Sequence, residues 1–229
     1  MIFDSYYFLL VVPAMLLALW AQARVNSTFR RYSQQRTHNG MTGADAAAAV
    51  LRAGGVSDVQ IERVAGNLTD HYDPRDNMIR LSDAVYGAPT VAAVCVAAHE
   101  AGHAVQYAEG YAPIRFRNAI IPVTRFGSAL AVPLLIAGLI FSYESLFVLG
   151  IIFFCASVVF QLVTLPVEYN ASDRALAALS EQNILYEDEM DGARRTLSAA
   201  ALTYVAALAV SLAQLLRLLL LFSGSRRRD

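Results

Sequence analysis

Charge is scarce in this sequence. Only 16% of its 229 residues are Asp, Glu, Lys or Arg, against 56% hydrophobic, and the formal net charge is −1. Such an apolar excess, with long uncharged runs, reads as a membrane protein rather than a soluble globule. The near-zero net charge excludes a global attraction to nucleic acid. Cysteine is nearly missing. Cys95 and Cys155 both fall in apolar helical patterns and read as small buried hydrophobes, which excludes a disulfide framework or a cysteine-based zinc knuckle. The segment before the first apolar run, Met1 to Ser5, holds no Arg or Lys. That counts against a cleaved signal peptide, although Ala21-Gln22-Ala23 resembles a cleavage site.

What the chain does hold is the pentad His99-Glu100-Ala101-Gly102-His103, an H-E-x-x-H pattern. Thr90 is a good N-cap ahead of the apolar stretch Val91 to Ala98, and Gly110 is a plausible stop, so the pentad lies on a helix. On that helix His99 and His103 share a face and can converge on one ion. Glu100 lies about 100° around from His99, placed to act as a general base without being a ligand. An alanine-rich buried helix has little reason to carry these groups unless they are paired or metal-bound, because burying unpaired charge is costly. Imidazole pairs suit zinc, and a catalytic zinc wants three protein ligands. The third cannot follow the metzincin pattern, whose Gly and His positions are Gln106 and Glu109 here. Glu168, after a long apolar run and at the start of a helical pattern, is the better candidate. It reads either as an N-terminal dipole partner or as a ligand, and the H-E-x-x-H favours the ligand.

The helix HEAGHAVQ, the later segment VEYNASDRAL and the upstream stretch DHYDPRDNMIRLSDAVY occur in this order. Together they resemble the membrane-bound neutral zinc metallopeptidases of the YugP-like group, similar in layout to HtpX-like and CAAX-processing gluzincin membrane proteases. The resemblance covers about residue 3 to about residue 220. It implies one Zn2+ ion held by His99, His103 and Glu168, with Glu100 as catalytic base. Related zinc proteases carry a supporting Asp four residues after the ligand Glu. Here that position is Ser172, and Asp173 follows it. His71, Tyr169, Ser172, Asp173 and Arg174 are therefore candidates for supporting a ligand or for binding the oxyanion.

The expected fold is mostly α: multi-span membrane helices plus a zincin-like α+β catalytic domain with a short β-hairpin. Residues 1–23 form an N-terminal transmembrane anchor. Residues 24–118 form the zincin-like domain, with a helix from Thr42 to about Arg52, a short strand or helix over Val59–Val64, and a hairpin of 68–72 and 77–81 around the turn Asp73 to Asp76. The hairpin can offer an edge strand to an extended peptide. His38 reads as solvated.

Residues 119–167 form a transmembrane hairpin. It returns the chain to its starting side, whereas an odd number of spans would part the ligands by about 30 Å. Residues 168–197 are a helical segment supplying the third ligand, and their acidic patch over 186–191 reads as a solvated face. Residues 198–229 are a last transmembrane helix, in which Arg217 snorkels, and a basic tail. Arg24, Arg30, Arg31 and Arg36 after the first span place the catalytic side in the cytoplasm.

The function expected is a multi-pass zinc metalloendopeptidase of the cell membrane, acting on a peptide or membrane-protein substrate beside the lipid bilayer. The alternative is a non-catalytic, zinc-stabilised membrane scaffold or quality-control adaptor. A metal transporter fits less well, because the apolar runs are almost free of ionisable residues.

Overall fold

The computed structural model describes residues 4–225; the Arg226–Arg228 cluster of the expected basic tail lies outside them. A π-helical turn, Tyr7–Val11, leads into α1 (Val12–Tyr32), followed by α2 (Gly43–Ala53), β1 (Gln60–Val64), β2 (His71–Asp73) and β3 (Met78–Ser82). Then come α3 (Asp83–Tyr86), α4 (Val91–Ala108), α5 (Ala112–Ile140), α6 (Glu144–Glu181) and α7 (Glu187–Ser225). The fold is mostly α with a small sheet, as expected. It divides into two compact units, one of residues 1–22, 116–165 and 202–229, the other of residues 23–115 and 166–201.

The first unit is built from apolar helix. Four helical stretches, Tyr7–Tyr32, Ala112–Ile140, Glu144–Glu181 and Glu187–Gly224, are long and apolar enough to cross a membrane. Large side chains such as Phe8, Leu9, Ile140 and Phe141 point outward, which suits a lipid solvent and would be unstable in water. Helices α5 and α6 pack antiparallel. A Cβ on Gly150 would lie 2.9 Å from the Leu135 amide, and one on Gly127 3.2 Å from the Phe153 carbonyl.

Arg217, expected to snorkel, has a definite partner. Its Nη2 lies 2.6 Å from the Asp4 carboxylate, and its guanidinium sits 5.2 Å from the Tyr7 ring centre. Asp4 also accepts the Tyr7 amide at 2.9 Å. The arginine of α7 is thus neutralised by an acid that stands just ahead of the first apolar helix.

The second unit has one core. The buried face of α4 (Val91 to Val94, Ala97, Ala98, Ala101) packs with Ala46, Ala47, Val50 and Leu51 of α2, Ile79 and Leu81 of β3, Ala175 and Leu179 of α6, and Leu197 of α7. Helix α2 starts where the sequence predicts. Thr42 accepts the Asp45 amide and Asp45 accepts the Thr42 amide, a full capping box. These bonds hold the Asp45 carboxyl below its usual range.

The hairpin of β2 and β3 is antiparallel as expected, but β1 joins the other side of β3 in parallel, giving the order β1-β3-β2. Tyr186, Glu187, Asp188 and Asp191 of the acidic patch are exposed as expected, but Glu189 needs correction. Glu189 is fully buried, and its two oxygens accept the amides of His38 at 2.9 Å and Tyr186 at 2.7 Å. It caps the start of α7 rather than facing solvent. The His38 side chain is exposed, as expected, with its ring 3.5 Å from Asp188.

Replacing Thr42→Ala removes one half of the capping box and is expected to lower stability by about 1 kcal/mol. Denaturant unfolding of the detergent-solubilised protein, followed by circular dichroism, measures it; an unchanged midpoint contradicts the capping role.

Candidate metal centre

Helix α4 sets two imidazoles one turn apart, and α6 brings a carboxylate to them. The rings of His99 and His103 have centres 4.7 Å apart and lie nearly perpendicular, at 81°. Glu168 Oε2 lies 3.3 Å from His99 Nε2 and 3.5 Å from His103 Nε2. The three ligand atoms fall within 4.8 Å of one another.

These separations have a direct chemical reading. A tetrahedral ion with bonds of about 2.0–2.1 Å holds its ligand atoms roughly 3.3 Å apart. A charge-assisted hydrogen bond would be shorter, about 2.7–2.9 Å. The donor set therefore fits zinc by both spacing and chemistry. Burial of His103 works against its charged form, but the nearby carboxylate of Glu168 outweighs it and raises the imidazole pKa.

Small residues make the approach possible. Gly102, between the two histidines, faces α6 so closely that a Cβ there would lie 2.7 Å from the Ala171 carbonyl oxygen. Ala171 and Ala175 on α6 are fully buried beside it. The alanine and glycine around the pentad are thus a steric requirement for bringing the ligands together. Glu168 differs from its sequence reading in one respect. It does not open a helix but sits well inside α6, which continues through Pro166 from Glu144 to Glu181. A role as partner to a helix N-terminus is excluded.

The other candidates separate cleanly. Ser172 Oγ lies 3.2 Å from His99 Nδ1, whereas Asp173 is exposed. Position 172 is one turn beyond Glu168 on the same helix face, and 173 is rotated away. Arg174 donates to Asn170 Oδ1 at 2.8 Å and pairs with Glu109 at 2.7 Å. Tyr169 is 45% exposed. His71 is exposed on β2 and its Nδ1 donates to the Thr69 carbonyl at 2.8 Å.

Glu100 is half-buried and accepts the Tyr72 amide at 3.0 Å. Tyr72 is opposite Ile79 in the β2–β3 ladder, and its bond to Glu100 turns its amide away from β3 toward α4. Gln106, passed over in the sequence except as a missing metzincin position, is fully buried and touches His103 Nδ1 at 3.0 Å. The available signal was a fully polar side chain one turn after a ligand on an otherwise apolar face.

The group His38, Asp188 and Glu189 also has ligand-type atoms within 4.8 Å. Its buried member already serves two backbone amides, so no metal is needed to explain it. Replacing Gly102→Ala should push α6 away from α4, cost roughly 1–3 kcal/mol and weaken metal binding. Thermal unfolding and chelator competition on the purified variant measure both effects; wild-type values would contradict the close-contact role.

A family model described as "Putative neutral zinc metallopeptidase" matches residues 7–223. The chain is 44% identical over 220 residues to "Putative membrane protease YugP" of Bacillus subtilis (strain 168), covering 96% of this chain and 98% of that protein. No solved structure matches the chain. With its imidazole pair and carboxylate brought together by α4 and α6, the chain belongs to the neutral zinc metallopeptidase family that this model describes.

Proposed function

We propose that the protein is a multi-pass membrane zinc endopeptidase of the gluzincin type, with one ion held by His99, His103 and Glu168. The observation that carries the reading is the meeting of these three donors within 4.8 Å, with Glu100 on the adjoining helix face. Among the described residues this group has three donors rather than four. Three protein ligands leave a position for water and favour a catalytic over a purely structural site.

Zinc bound there would lower the pKa of a coordinated water toward neutrality and polarise the scissile carbonyl. Glu100 takes the proton from the attacking water and delivers it to the departing amine nitrogen. The Tyr72 amide holds the Glu100 carboxylate in place for this task at 3.0 Å. Strand β2 lies at an edge of the sheet, where an extended peptide can add as a further strand. Arg174 is committed to Asn170 and Glu109, which leaves His71 and Tyr169 as the nominated oxyanion donors. The arginines Arg24, Arg30, Arg31 and Arg36 that follow the first span support a cytoplasmic catalytic side.

Glu100→Gln should retain one zinc per chain and lose peptide hydrolysis by about 10²–10⁴-fold. Metal analysis and cleavage of an unstructured protein substrate in detergent check the two halves of this expectation. Cleavage at the wild-type rate removes Glu100 from the role of base.

A further inference from the structure

We infer that Gln106 is a positioning residue that fixes His103 with its proton on Nδ1 and its lone pair on Nε2, through a hydrogen-bond relay whose polarity is set jointly by the Val167 carbonyl and, through Asn170, by Arg174. The inference rests on the zinc-site reading for its purpose and on the following chain of contacts for its logic. Arginine has only donors. The Asn170 atom 2.8 Å from Arg174 Nε is therefore an oxygen. That same Oδ1 faces the Gln106 side-chain amide at 2.9 Å, so the Gln106 atom there is the nitrogen. The Val167 carbonyl, also 2.9 Å from this nitrogen, independently requires the same orientation.

With both nitrogen partners being acceptors, the Gln106 oxygen must be the atom turned to His103. It lies 3.0 Å from Nδ1 and can only accept. His103 Nδ1 then carries the proton, and in the neutral ring that metal binding requires, Nε2, the nitrogen 3.5 Å from Glu168, holds its lone pair toward the shared point. At the outer end, Arg174 is itself held by Glu109 at 2.7 Å and lies 6.0 Å from the Tyr111 ring centre.

Two features make this more than a buried amide finding partners. Val167 is the residue immediately before Glu168, so the amide that orients one ligand also grips the backbone presenting another. Gln106 thereby sets the spacing between ligands from different helices. The second histidine offers a contrast. His99 Nδ1 faces Ser172 Oγ at 3.2 Å, and a hydroxyl can donate or accept. Its partner does not dictate a tautomer, whereas the partner of His103 does.

The test uses the full chain in detergent, labelled with ¹⁵N-histidine and loaded with zinc; the sequence has four histidines to resolve. In the wild type, His103 should show a metal-bearing Nε2 and a slowly exchanging Nδ1–H. The reverse arrangement overturns the inference even if no variant can be purified. Gln106→Met should speed exchange of that proton and weaken zinc affinity by roughly 10–100-fold. Asn170→Asp, which still accepts from both Gln106 and Arg174, should retain wild-type exchange and affinity. Unchanged exchange and affinity in Gln106→Met, or a loss in Asn170→Asp equal to that in Gln106→Met, sinks the relay alone. Failure of the wild type to take up zinc, or uptake unaltered by His99→Ala, overturns the zinc site and the relay together.

Discussion

The constraint on which the rest depends is the distance between two helix backbones. A glutamate side chain is short, and it reaches the imidazoles on α4 only because Gly102 lets the Ala171 carbonyl come where a Cβ would otherwise stand. Everything nearby follows from that approach. The facing residues must be small, the histidines must project past them, and the carboxylate must enter from the neighbouring helix. The alanine-rich core of the second unit, which in isolation resembles weak packing, is what a close helix pair requires.

Closeness also creates a burden, because it buries polar groups. His103 and Glu168 are 8% and 2% exposed, and Gln106 is completely enclosed. An unpartnered polar atom at such depth would be destabilising. The structure answers with a network in which each group has a definite partner: serine on one imidazole, glutamine on the other, asparagine and a main-chain carbonyl behind the glutamine. Glu100 stands outside this network, tied instead to the amide of an edge strand. The two imidazoles and the carboxylate are thus braced by helices, and the general base of the proposed reaction is braced by the sheet.

Much of this was legible in the residues. The histidine pair is local, one turn apart, so periodicity alone places both rings on one face. Thr42 and Thr90 announce their helices through chemistry contained within four positions. Glu168 was harder, since 65 residues separate it from His103 in the sequence, and its assignment drew on the resemblance as much as on pattern. What stayed hidden depended on three-dimensional partners. The helix start expected at Glu168 falls inside α6, which runs through Pro166 at the loss of one backbone donor. The parallel pairing of β1 with β3 has no local signature. Glu189 looks like one of several surface acids until two distant amides are found against it. Gln106 carries no motif of its own beyond its spacing from His103.

The pairing of Asp4 with Arg217 bears on the order in which the chain can assemble. The two residues are separated by 213 positions, so the carboxylate is synthesised long before its counter-ion exists. Until the final helix arrives, the first must wait with an acid at its head, and afterwards a guanidinium that lipid would reject has somewhere to go. Helix α7 is therefore the latch on the first helix, and a chain in which α7 has not yet been made is a helix set that has not been closed.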